Sequence, residues 1–198
     1  DYTDSDGNTA QIPDGFAIGT SENVNKISKG LVIQDNEGSQ FVWVPVGDVK
    51  VDNKVSFNVE LGRYAFFANQ PIPDAPVESA DFKINNAYYE KMTADLQAFI
   101  DNSKEDGGYW FARFSCSNDL NPRMHFGLEL RQDFRYNEHT GVAGRYGTIH
   151  AKGVWKCNSV NSYAWDTALI FVEKAGNTGY ATDGTPRYPN SIGPKYSR

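Results

Sequence analysis

Few residues in this chain carry reactive chemistry, and they lie far apart. Two cysteines, Cys116 and Cys157, and three histidines, His125, His139 and His150, are all it offers as soft metal ligands or thiol nucleophiles. The cysteines do not form the paired C-x-x-C of a zinc site, and no histidine lies near either in sequence. The histidines are spaced by 14 and 11 residues, which matches no helical metal pair such as H-E-x-x-H. A catalytic thiol must be ionised and reachable. Cys116 instead ends an aromatic run and Cys157 follows Trp155, settings that suit burial or a bridge. The pair reads as a single disulfide in an oxidising compartment or as two buried thiols. No G-x-S-x-G nucleophile elbow is present, and no cofactor motif.

Groups suited to binding rather than catalysis are more numerous. Asp4, Asp6 and Asn8 imitate the opening of a calcium loop, but Gly7 is misplaced for the turn and the twelfth position is Gly15 instead of Glu. They read as part of a solvated arm over residues 1–11. Gln70-Pro71-Ile72-Pro73-Asp74 only approximates the Q-P-D loop of calcium-dependent sugar binders. Trp165-Asp166 falls on a predicted helix, so Trp165 is expected in the core, with Asp166 near the helix start where a carboxylate is favoured. Sugar can also be held without calcium, by aromatic faces and amides. The candidate ligand loop for that is Arg187, Tyr188, Asn190 and Tyr196.

Elements must position these groups. With 198 residues, one core and one domain are the default. Acidic residues number 25 against 19 basic ones, a net charge of −6, and the basic residues never run together, so a phosphate-tracking surface has no source. No apolar stretch approaches the roughly 20 residues that cross a bilayer, and no basic-then-apolar leader opens the chain. Aromatics at 14% exclude disorder, while 18 Gly and 9 Pro exclude a helical bundle.

Residues 31–34 and 40–46 are β-rich runs around Asp35-Asn36-Glu37-Gly38 and predict a hairpin. A second strand pair is expected at 55–59 and 63–67, then a Pro-stiffened loop. Tyr88, Tyr89, Met92, Leu96, Phe99 and Ile100 recur at helical spacing and predict a helix over 84–102, ended by Gly107-Gly108. The bulky run 109–114 follows as a strand. A second helix is expected over 162–174, with Trp165, Ala168, Leu169 and Val172 as its buried stripe, Asn161 or Ser162 as its cap and Gly176 as its stop. Residues 177–198 read as an irregular tail. Trp43, Trp110, Phe99 and Trp165 are the expected core markers.

Four segments in order, IPDGFAIGTSE, GLVIQDNEGSQFVWVPV, YYEKMTADLQAFIDNSKEDGGYWFARF and SYAWDTALIFV, resemble the formylglycine-generating enzyme (sulfatase-modifying factor) superfamily, particularly non-catalytic members on bacterial surfaces. The resemblance spans roughly residues 12 to 175. It implies a C-type-lectin-like α+β fold, a twisted mixed or antiparallel sheet with two helices and extensive irregular loops. In the family a "GNVWEWT" segment follows the W-D helix, and catalytic members carry a copper-binding cysteine pair there. Here Ala175-Gly176-Asn177 is followed by Thr178-Gly179-Tyr180, no cysteine lies beyond Cys157, and Arg113-Phe114-Ser115 lacks the Glu of the family's "GRYE".

The expectation is therefore a non-enzymatic extracellular display or adhesion domain, or structural subunit, of a bacterial surface appendage or phage particle. It would bind protein or glycan through loops, with no cofactor, no nucleic acid and no membrane insertion. The alternatives are a copper-dependent formylglycine-generating oxidase and a purely structural assembly subunit. If the domain is exported, Cys116 and Cys157 should be bridged. The tail is expected to protect an open sheet edge or to leave it for a partner's strand.

Overall fold

A computed structural model describes residues 1–20, 24–65, 70–71, 86–114, 123–124, 146, 157 and 160–176. These form mixed α+β structure. The strands are β1 (Tyr2–Thr3), β2 (Thr9–Ala10), β3 (Ala17–Ile18), β4 (Val32–Gln34), β5 (Gln40–Pro45), β6 (Gly47–Val51), β7 (Lys54–Val59), β8 (Tyr64–Ala65), β9 (Gln70–Pro71) and β10 (Gly108–Ala112). The helices are α1 (Asn86–Glu105) and α2 (Ser162–Lys174), with a 3-10 turn at Ile27–Lys29. Every strand pair among the described residues is antiparallel.

The central sheet runs β10-β5-β4-β3. Its predicted hairpin is present, with Val32 opposite Val42 and Gln34 opposite Gln40. Asp35 closes the turn, because its Oδ1 accepts from the N–H groups of Glu37 (2.9 Å) and Ser39 (2.8 Å). Side chains alternate across a strand. Phe41 and Trp43 therefore face one side of the sheet, and Val42 and Val44 the other. On the first side the Trp43 and Trp110 rings, directly opposite in the register, lie 5.0 Å apart at 60°. Trp43 is fully buried, and Trp110 is half-buried with its Nε1 donating to the Gln11 carbonyl at 2.9 Å.

The expectation of a solvated arm over residues 1–11 is corrected here. Ala10 and Ile27 pack with Leu31 and Trp43, backed by Tyr2 and Ile12, so the N-terminal segment forms the layer that covers this side of the sheet. It is pinned by buried polar groups. Asp4 accepts from the backbone N–H of Asp6 (3.0 Å), Asn8 (2.9 Å) and Ile27 (2.8 Å). Asn8 pairs its whole amide with the backbone of Lys50, Oδ1 accepting at 2.7 Å and Nδ2 donating at 3.0 Å, as a neighbouring strand would. Polar residue types alone predict solvent exposure here. They are buried because each has a partner.

The other side of the sheet carries the helices. Val44, Val49, Val59, Tyr109, Ala164 and Phe171 form its core, with Phe57, Phe99 and Phe111 packed against it. Phe99 is half-buried and meets Tyr109 edge-on at 5.0 Å. α1 begins and ends a few residues later than expected. Gly107, at φ 73°, takes the left-handed turn that ends it, and a Cβ on Gly108 would stand 2.5 Å from the Val44 carbonyl and 2.6 Å from the Trp43 ring. The Gly-Gly pair thus lets the chain reverse and lie flat on β5.

The partner expected for 55–59 is also corrected. β7 pairs with β6 through Asp52 and Asn53, both left-handed (φ 51° and 61°), the two-residue turn whose twist suits a hairpin. The register shift at Val49/Lys50 makes Ser56 an extra residue on β7. β8 pairs with β9 instead, with Tyr64 opposite Pro71.

Candidate functional site

α2 has the predicted bounds but not the predicted phase. Asn161 caps it, its side chain accepting from Ala164 N at 2.9 Å. The buried residues are Ala164, Asp166, Thr167, Ile170 and Phe171, so the inward stripe is rotated by about one position from the expected one. The physical reason is polar. Asp166 is 5% exposed because its Oδ2 accepts from Arg63 Nε (2.7 Å) and from Tyr64 N (3.2 Å). The Thr167 hydroxyl accepts from Gly62 N at 3.1 Å. Tyr109 donates its hydroxyl to the Ala164 carbonyl at 2.6 Å, and burial pushes that phenol far above its usual range. Counting only apolar residues missed three anchors that pull this face inward.

Trp165, expected in the core, is consequently turned out. It is 39% exposed and rests on Phe111, with ring centroids 6.0 Å apart at 48°. Val160, just before the helix, is also exposed. Arg63, held by Asp166 from behind, keeps 43% of its side chain exposed.

The same sheet face continues beyond Phe111 as a polar row. Register and alternation put Arg113 of the segment after β10, Gln40 of β5 and Gln34 of β4 side by side, because Arg113 N donates to Gln40 O at 3.0 Å and Gln40 stands opposite Gln34. The side chains form a chain of hydrogen bonds. Arg113 Nη1 donates to Gln40 Oε1 at 2.8 Å, and Gln40 Nε2 donates to Gln34 Oε1 at 2.8 Å. Arginine has no acceptor, so the direction of the whole chain is forced from its end. The guanidinium also lies over the Phe114 ring, 5.7 Å from its centroid.

The other sequence-derived candidates fall elsewhere. Cys116, the histidines and the loop residues Arg187, Tyr188, Asn190 and Tyr196 lie outside the described residues, as does the tail. Cys157 is half-buried against the cluster of Ile33, Phe41, Met124 and Tyr146, and burial pushes its thiol up, away from the ionised form. Tyr146 donates its hydroxyl to Asp35 Oδ2 at 2.8 Å. Asp6, the second carboxylate of the calcium-like run, accepts from Lys26 Nζ (3.1 Å), Ser28 Oγ (3.3 Å) and Asp52 N (3.3 Å). Protein donors occupy these oxygens where a calcium loop would offer them to the ion. Among the described residues no group of three or more His, Cys, Asp or Glu could hold a metal ion.

Sequence reading missed Phe111, Arg113, Gln34 and Gln40 as a set. The signal was there in the polar residues that end otherwise apolar strands, since the Asp35–Gly38 turn fixes Gln34 opposite Gln40. No family model, no curated protein and no solved structure matches this chain.

Proposed function

We propose that this chain is a non-enzymatic display domain of a bacterial surface appendage or phage particle, taking protein or glycan on the face that bears Trp165. The order of the four resembling segments supports a C-type-lectin-like member of the formylglycine-generating enzyme superfamily. Two helices on an antiparallel sheet are compatible with that arrangement. The observation that carries the functional reading is Trp165. An indole 39% exposed and braced on Phe111 offers stacking area with little conformational freedom to lose on binding. Copper oxidase chemistry is the poorer reading, because Thr178-Gly179-Tyr180 stands where the resembled family continues its "GNVWEWT" segment and Arg113-Phe114-Ser115 lacks the Glu of "GRYE".

A printed glycan array probed with the intact chain beside Trp165→Ala tests the proposal. Signals that Trp165→Ala abolishes are expected. Signals unchanged by it, or none for either protein on glycans and on intact bacterial cells, would overturn the reading. Elution volume at rising concentration separates it from a purely structural subunit, which should assemble.

A further inference from the structure

We infer that the row formed by Arg113, Gln40 and Gln34, together with the Trp165–Phe111 platform, is a site for an acidic sugar, a pyranose that carries a carboxylate. The inference rests on the binding reading above and names its ligand class. Phe111 of β10 and Arg113 just past its end are two residues apart, about 7 Å at an extended rise, and the Arg113 N–H to Gln40 carbonyl bond continues the pairing that puts them on one face. An aromatic floor and a charged fork therefore lie within one ring's reach of each other.

The polarity of the row selects the charge. Because Arg113 donates to Gln40 and Gln40 donates to Gln34, each amide oxygen already accepts one bond from within the row, and Nε2 of Gln34 stands at its end as a donor. Arg113 uses Nη1 on Gln40, which leaves the Nε–Nη2 edge as a two-pronged fork of the shape a carboxylate fits. Phe114 supports the guanidinium plane from one side. The Arg113 guanidinium is met at Nη1 by the neutral amide of Gln40, whereas Lys26 and Arg63 meet the carboxylates of Asp6 and Asp166. An anionic group would gain from the Arg113 charge. The ring's apolar face would lie on Trp165 and Phe111, and its hydroxyls would accept from the amide row. An acidic peptide could use the fork but has no need of the aromatic floor.

The test is an NMR titration of the whole chain with sodium glucuronate, glucose and sodium acetate, following the Trp165 indole N–H and the side-chain amides of Gln34 and Gln40. Glucuronate should bind at least about tenfold more tightly than either glucose or acetate, as one charge-assisted contact added to stacking implies. Arg113→Gln should reduce glucuronate to the level of glucose, and Trp165→Ala should weaken both sugars. Backbone spectra of each variant would establish that it remains folded. Equal affinity for glucuronate and glucose, acetate binding as tightly as glucuronate, or shifts confined to other residues would overturn the inference. If these sugars fail while the array still gives signals abolished by Trp165→Ala, the ligand class falls and the display reading stands; if both fail, both fall.

Discussion

Replacing Asp4 by Asn tests whether the N-terminal segment is structure or arm. The two residues have nearly the same shape, so the change removes charge and one acceptor with little cavity. Every contact made by the Asp4 carboxylate is with a donor. Oδ1 accepts from Asp6 N at 3.0 Å and Asn8 N at 2.9 Å, and Oδ2 from Ile27 N at 2.8 Å and Asn8 Nδ2 at 3.1 Å. Whichever way the new amide turns, its NH2 faces two N–H donors and at least two hydrogen bonds are lost. Hydrogen bonds to a charged acceptor contribute about 1.5–3 kcal/mol each, so the loss should be about 3–6 kcal/mol. That is a large share of the roughly 5–15 kcal/mol that holds a domain together. Urea denaturation at neutral pH, followed by tryptophan fluorescence and far-UV circular dichroism, measures it. Asp14→Asn, at an exposed turn position, is the control and should stay within about 0.5 kcal/mol. A midpoint for Asp4→Asn equal to that of the control would refute the reasoning and restore the solvated arm.

Three further outcomes are expected. For the Asp6 carboxyl, burial alone would raise its pKa, but Lys26, the Asp52 N–H and Ser28 hold it below the usual carboxylate range. Stability from a depressed carboxyl is present above the unfolded value of about 3.9 and is lost as pH falls through the folded value, so the wild-type urea midpoint should drop below about pH 4 and Asp6→Asn should flatten that drop; parallel pH profiles would contradict this. Gly108→Ala forces a Cβ to within 2.5 Å of the Val44 carbonyl and should destabilise by about 3 kcal/mol, whereas Gly107→Ala meets only the left-handed backbone and should cost about 1–2 kcal/mol; equal thermal midpoints for the two would be inconsistent with the packing. In exported material Cys116 and Cys157 should be bridged, closing a loop of about 40 residues that stabilises by roughly 3–4 kcal/mol, and two alkylatable thiols in unreduced protein would exclude the bridge.

Sequence made the elements legible where one local signal sufficed. The Asp35–Gly38 hairpin, the Gly107-Gly108 stop and the Asn161 cap each follow from a residue type at a fixed offset. It failed where polar residues are buried by distant partners. Asp4 and Asn8 find theirs at Ile27 and Lys50, and Asp166 finds Arg63 and Tyr64 more than a hundred residues away. Those bonds turn α2 and send Trp165 outward, which apolar periodicity alone cannot anticipate. The β6–β7 hairpin was readable in Asp52-Asn53, but the aromatic content of 63–67 competed for the same partner. Of the binding face, Trp165 was singled out with its exposure reversed, and the row of Gln34, Gln40 and Arg113 needed the strand register before it became a set.

The proposed binding runs through the face bearing Trp165. The most direct measurement is the glycan-array profile of the intact chain against Trp165→Ala and Arg113→Gln, each first verified as folded by its thermal midpoint. Signals concentrated on carboxylate-bearing glycans, abolished by Trp165→Ala and stripped of their preference for acidic sugars by Arg113→Gln, are expected. Three indistinguishable profiles would contradict the proposed binding.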